Sequence, residues 1–209
     1  MQQLPLGISP AAEPAFDNFV AGRNAEALAR VRDLAADTVS ERIVYVWGDT
    51  GSGRTHLLRA AARTNASLVV VDDAQLLDGA GQHALFVAIN EARDGGPGVL
   101  VAGDKPPAQL ALREDLRTRL AWGLVYELVP LGDEDKALHL KAAAASRGLQ
   151  LSDDIVAYLL THLPRDMASL QSIMEVLDRY SLMRKRALTL PLVREALAQE
   201  FLGGQPPER

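Results

Sequence analysis

The stretch WGDTGSGRTHLL, Trp47–Leu58, decides the fold. Gly48, Gly53 and Thr55 fall on the spacing G-x-x-x-x-G-K-[ST], a loop whose backbone N–H groups cradle phosphates, but Arg54 fills the lysine position. The preceding run RIVYVW (Arg42–Trp47) is short and β-rich, and Thr55 to Ala62 continues as a helix. Strand, glycine loop and helix together are the context the motif needs. They make Gly48, Asp49, Thr50, Gly51, Ser52, Gly53, Arg54, Thr55 and His56 candidates for holding a polyphosphate, with the helix N-terminus aimed at it. Thr55 offers a hydroxyl to Mg²⁺. Arg54 keeps the positive charge, but its guanidinium is longer, planar and forked. It can hold a diphosphate well and still position a third phosphate poorly.

Working outward, SLVVVDDAQLL (Ser67–Leu77) reads as a buried strand ending in two acids. Asp72 is the metal-side carboxylate, and Asp73 stands where a water-orienting acid belongs. VLVAG (Val99–Gly103) is a third strand, and Asp104 follows it into VAGDKPP, a weak signal by itself. LVYELV (Leu124–Val129) is a fourth. A helix over Gln82 to Ala92, and LRTRLAWG as helix and turn, lie between the strands. Near-continuous apolar strands alternating with helices predict a parallel sheet covered on both faces. Arg117 and Arg119 sit at the edge of this domain. Arginines so placed either form surface salt bridges or reach into a neighbour's nucleotide site.

Upstream, NAEALARVRDLAA has helical spacing, with Asn24 as its expected cap. Beyond Pro130 the pattern turns wholly helical: Asp133–Gly148 with Gly148 as its stop, Ser152–Leu163 with Ser152 as its cap, Asp166–Arg186, and a last helix in TLPLVREALAQEFL. The expected organisation is an extended tail over 1–15, an α/β domain over 16–130, a helical domain over 131–202 and a disordered end over 203–209.

The chain of 209 residues carries 22 Lys+Arg against 27 Asp+Glu, a formal charge of -5, so a globally basic nucleic-acid surface is excluded. With no cysteine, disulfides, thiolate metal sites and cysteine nucleophiles are excluded too. No apolar run approaches the ~18 residues of a membrane span, and MQQLPLG lacks the charge and apolar pattern of a secretion signal. A soluble, cytoplasmic protein is expected.

Assembled, these pieces resemble the DnaA family of AAA+ proteins, and within it the regulatory Hda branch. The resemblance rests on FDNFVAG (Phe16–Gly22), GDTGSGRTHLL, VVVDDAQ, VAGDKPPAQL, DLRTRLAWGLVYEL and LPLVREAL, in the family's order along almost the whole chain. It implies a P-loop AAA+ core followed by a small helical lid. By position, Phe16, Phe19 and Val20 would lie near the adenine, and Gly48 to Thr55 would be the Walker A loop. Asp72 and Asp73 would be Walker B, with Thr55 and Asp72 on Mg²⁺, and Asp104 would be sensor 1. Arg119 would be an arginine finger acting on nucleotide held by DnaA. The N-terminal Gln2, Gln3, Leu4, Pro5 and Leu6 resemble a peptide that binds the replicative sliding clamp. Two departures stand out. The family's sensor 2 arginine falls on Ala168, leaving Arg165 as a substitute from the same helical face. And only eleven residues separate Thr55 from Ser67, so four strands are expected where five are usual.

The resemblance implies a clamp-bound protein, holding ADP or ATP with Mg²⁺, that stimulates hydrolysis of DnaA-bound ATP while being a weak ATPase itself. A homodimer is an open possibility. The chain ends after the helical segment with nothing basic following, so direct nucleic-acid binding is not expected. Two alternatives compete: a nucleotide-free AAA+-like adaptor, and a DnaC-like loader ATPase.

Overall fold

The computed structural model describes residues 13–163, 167–184 and 188–201. The chain divides into two compact units, the first spanning Pro14–Leu131 and the second running from Gly132 onward.

The first unit is built on four parallel strands: β1 (Ile43–Trp47), β2 (Val69–Val71), β3 (Val99–Gly103) and β4 (Leu124–Glu127), in the spatial order β2-β3-β1-β4. Alternation along β1 and β3 sorts side chains onto two faces. Val44, Val46, Leu100 and Ala102 meet α1 (Ala25–Ala35) and α2 (Arg54–Thr64), where Val31, Leu34, Leu57 and Leu58 are buried. Ile43, Tyr45, Val99 and Val101 meet α3 (Gly79–Arg93) and α4 (Glu114–Leu120) through Leu85, Ile89, Leu116 and Leu120. Both faces of the central strands are thus apolar, which is why these runs show no polar alternation. Each buried valine, leucine or isoleucine among them contributes about 1.5–3 kcal/mol by leaving water.

The strand expected over Ser67–Leu77 is only Val69–Val71. Asp72 Oδ1 accepts the Asp73 N–H at 2.9 Å, and Asp73 takes φ 48°, ψ 52°, a left-handed conformation that ends pairing and turns the chain into Ala74–Leu76. Asn24 is a second difference. It precedes α1 but makes no side-chain cap. Its amide is buried and spans to the exit of β4, donating to Val129 O at 2.9 Å and accepting from Val129 N at 2.8 Å. A backbone pair 105 residues away outcompeted the local cap.

The second unit holds α5 (Asp133–Ala145), α6 (Asp153–His162), α7 (Met167–Arg184) and α8 (Leu190–Phe201) around Leu140, Ile155, Leu159, Leu170, Ile173, Leu177 and Val193. Gly148 takes φ +72°, the left-handed residue that closes the end of α5. Ser152 precedes α6 without a side-chain cap hydrogen bond. Among the described residues no helix is long and apolar enough to cross a membrane.

Candidate functional site

In an open parallel sheet, ligands sit beyond the carboxyl ends of the strands. The glycine loop leaves the end of β1, Asp72 and Asp73 leave the end of β2, and Asp104 leaves the end of β3. The topology therefore brings these sequence-predicted groups to one rim.

The loop is shaped by what surrounds it. A Cβ on Gly48 would lie 2.2 Å from Leu128 O, because β4 pairs onward through Leu128 N to Trp47 O at 2.6 Å. Gly53 combines φ +97° with the Phe19 ring, 2.7 Å from where its Cβ would be. Gly51, at φ +84°, faces open space. Asp49 and Thr50 are exposed, whereas Ser52 is buried with no hydrogen-bond partner for its hydroxyl. Phe19 meets His56 edge-on at 5.4 Å between ring centroids, and His56 Nε2 lies 3.0 Å from Ala15 O, pinning the N-terminal segment across α2. Val20 is half-buried beside Phe19. Phe16 sits apart: its ring lies 5.6 Å from the Arg32 guanidinium and lines a cavity of about 360 Å³ with Ala60, Arg63 and Thr64, at the far end of α2 from the loop.

Across the loop, Thr55 Oγ1 donates to Asp72 Oδ2 at 2.7 Å. Arg54 is folded inward with its side chain 14% exposed, Nη2 being 3.9 Å from Asp73 Oδ1 and Nη1 buried without a partner. Gln75, which the sequence reading did not single out, joins two of the acidic positions. Its Nε2 donates to Asp73 Oδ1 at 2.9 Å and its Oε1 accepts the Asp104 N–H at 3.2 Å. Tyr45 underpins the same rim from below. Its hydroxyl donates to Lys105 O at 2.6 Å, passing over Gly103, where any Cβ would lie 2.0 Å away. Burial, helped by the charge of Asp104 and opposed by Arg54, pushes the Tyr45 hydroxyl far above the ordinary tyrosine range.

These residues fit a polyphosphate with Mg²⁺. Ser52 Oγ and Arg54 Nη1 are orphaned buried polar atoms at a helix N-terminus, and Thr55 with Asp72 is the hydroxyl–carboxylate pair a phosphate-bound Mg²⁺ uses. Among the described residues no cluster of three His, Cys, Asp or Glu makes a metal site by itself. Mg²⁺ here would share its ligands with the phosphates.

Arg119 belongs elsewhere. It ends α4, and the turn after it is pressed on the start of β1: a Cβ on Gly123 would lie 2.2 Å from Ile43 O. The guanidinium lies over the Phe86 ring at 3.8 Å and 5.0 Å from the Trp122 ring, with Nε donating to Asn90 Oδ1 at 2.9 Å. Trp122 also lines a cavity of about 560 Å³ with Arg42, Ile43 and Arg93, at the amino end of β1. Arg117 turns back into its own domain, Nη1 donating to Ala108 O at 3.1 Å. Arg165 and the Gln2–Leu6 segment lie outside the described residues.

The comparisons with known proteins divide along the same two units. A model of the bacterial DnaA ATPase domain matches residues 62–127, and a model of the Hda lid domain matches residues 133–197. An uncharacterized protein of Haemophilus influenzae is 35% identical over 228 aligned positions, covering 94% of this chain and 98% of its own length. Domain III of the Thermotoga maritima replication initiation protein DnaA superposes with a TM-score of 0.67 at 19% identity, covering 97% of this chain and 100% of that one. AMPPCP-bound DnaA from Aquifex aeolicus gives 0.65 at 16% identity, covering 94% and 86%.

Proposed function

Because the chain belongs to the DnaA family of AAA+ proteins and carries an Hda-type lid, we propose that it acts in replication-initiation control as a regulatory inactivator, stimulating hydrolysis of ATP bound to DnaA. The observation that carries this reading is the position of Arg119. It lies by the amino end of β1, whereas the chain's own glycine loop leaves the carboxyl end. At ~3.3 Å per residue the strand separates the two by about 13 Å. That placement supports a role for Arg119 on another molecule's nucleotide. Docked edge to edge with ATP-bound DnaA, its charge opposes the negative charge that builds on the transferring phosphoryl oxygens, an effect worth roughly 10³–10⁵ in rate.

The chain's own site has a different part. Gly48–Thr55 hold the phosphates of ADP or ATP, with Mg²⁺ on Thr55 and Asp72 beside them; Mg²⁺ supplies charge neutralisation there. Arg54, already facing Asp73, favours a diphosphate and leaves intrinsic hydrolysis weak. Gln2, Gln3, Leu4, Pro5 and Leu6 tether the protein to the sliding clamp, which concentrates it where DnaA must be reset.

The test is stimulated hydrolysis of DnaA-bound ATP in the presence of DNA-loaded clamp. The full chain is expected to accelerate hydrolysis, Arg119→Ala to abolish the acceleration, and deletion of Gln2–Leu6 to make it clamp-independent and weaker. Full acceleration by Arg119→Ala would sink the mechanism. Acceleration that persists when the chain binds neither ADP nor ATP would move the adaptor reading into first place.

A further inference from the structure

Resting on the reading that Gly48–Thr55 hold the phosphates of ADP or ATP, we propose that Gln75 is a positioning residue that sets the preference of this site for a diphosphate, by fixing Asp73 on Arg54. Arg54 stands at the loop position whose cation reaches the outer phosphates. Its side chain is 14% exposed, and its Nη2 lies 3.9 Å from Asp73 Oδ1. At that distance the pair is loose by itself, and the Asp73 side chain is 48% exposed, with water within reach. What holds it is Gln75, whose Nε2 donates to the same Oδ1 at 2.9 Å. At the other end of the amide, Oε1 accepts the Asp104 N–H at 3.2 Å. Chemistry settles which way the amide faces. An ionised carboxylate only accepts and a backbone N–H only donates, so one amide serves both in a single orientation.

Both ends of this bridge are anchored. β2 and β3 pair as far as Val71 and Val101, so their exits are neighbours. Tyr45, buried beneath, donates to Lys105 O at 2.6 Å and steadies the turn that carries the Asp104 N–H. The Asp73 backbone is held on both sides, its N–H by Asp72 Oδ1 at 2.9 Å and its carbonyl by the Leu76 N–H at 2.8 Å. Gln75 thus carries the stiffness of the β3 exit to the Asp73 carboxylate and keeps it facing Arg54. Because Gln75 is neutral, Asp73 keeps its negative charge and remains the counter-ion of Arg54. A diphosphate can be met by the loop N–H groups and the helix N-terminus without calling on Arg54. A third phosphate needs Arg54. It must displace a carboxylate that Gln75 holds in place, and it brings its own negative charge beside that carboxylate. The penalty therefore falls on the triphosphate.

The experiment is calorimetric titration of the full chain, with Mg²⁺ present, against ADP and against AMPPCP, a non-hydrolysable triphosphate, after thermal melts establish folding. It reads the ratio of the AMPPCP to the ADP dissociation constant. A general loosening of the fold weakens both and leaves the ratio alone. The parent is expected to bind ADP more tightly. Gln75→Leu is expected to shrink the ratio roughly fivefold to tenfold, less than a full charge-assisted hydrogen bond because Asp73 is half exposed. Gln75→Met, closer in length, carries the same expectation and serves if the leucine variant unfolds. Asp73→Asn removes the charge with a residue that accepts the left-handed backbone, and is expected to shrink the ratio at least as far. The double variant is expected to match Asp73→Asn, since Gln75 acts through that carboxylate. A parental ratio in the folded Gln75 variants would overturn the role of Gln75 and leave the nucleotide site standing. A double variant whose ratio falls well beyond that of Asp73→Asn would overturn it too, by showing that Gln75 acts elsewhere. Equal parental affinity for the two ligands would overturn the preference itself. A folded parent that binds neither would remove the nucleotide site, and this proposal with it.

Discussion

Asn24→Ala tests the joint between the start of α1 and the exit of β4. Asn24 is 4% exposed, and its amide satisfies both backbone groups of Val129, at 2.8 and 2.9 Å. Truncation strands one N–H and one C=O. A stranded buried group costs about 1–3 kcal/mol, and because Val129 is only half-buried water recovers part of this, giving about 2–4 kcal/mol for the pair. Asn24→Asp restores the acceptor, loses the donor and buries a charge, so it is expected to be no milder. The assay is equilibrium urea unfolding followed by tryptophan fluorescence. Trp47 and Trp122 are the chain's two tryptophans and both belong to the Pro14–Leu131 unit, so the signal reports that unit alone. The urea midpoint should fall with an unchanged slope. A loss below about 0.5 kcal/mol, the range of an ordinary surface substitution, would refute the idea that this pair closes the unit.

Two further outcomes are expected. Gly53→Ala forces a left-handed residue, which costs about 1–2 kcal/mol, and drives a methyl into Phe19; ADP affinity measured by calorimetry should fall at least about tenfold, and an unchanged affinity would remove the loop from the nucleotide site. Tyr45 has a raised pKa in the folded state, so its contribution to stability is complete below the unfolded value near 10 and is lost as pH climbs from there towards the folded value. Stability of the parent should therefore decline from about pH 10 upward more steeply than that of Tyr45→Phe, and parallel pH profiles of the urea midpoint would contradict this.

The local parts of the fold were legible because they rest on local physics. The glycine loop, the apolar strands and the helices after Pro130 follow from periodicity and turn chemistry, and the short spacing from Thr55 to Ser67 foretold a four-strand sheet. What escaped is long-range. Asn24 has every mark of a cap, and only the fold reveals Val129 as its partner. Asp72 and Asp73 read as the end of a longer strand because a side chain that captures the next N–H leaves no periodic trace. Gln75 stands two residues beyond an obvious acid, but its bridge to Asp104 needs the β2–β3 pairing to exist first. Phe86 and Asn90 sit on one helical stripe that sequence can identify; that the stripe faces Arg119 is a property of how α3 and α4 pack. Part of this was recoverable, since a phenylalanine and an amide at i and i+4 on an amphipathic helix make an unusual core edge.

The strand order β2-β3-β1-β4 has a consequence for synthesis. Every hydrogen-bonding neighbour of β1 lies later in the chain, and β2 pairs with β3 alone. On a translating ribosome, no two strands can pair until Val99–Gly103 has left the exit tunnel, and β1 waits for Leu124–Glu127 to gain its second neighbour. At ~5–20 residues per second, the apolar run Ile43–Trp47 is therefore outside the ribosome for several seconds before its first partner strand exists. The nascent chain in that interval has no sheet for its helices to pack on. An interior strand of the finished sheet is, during its making, the segment longest in need of shelter.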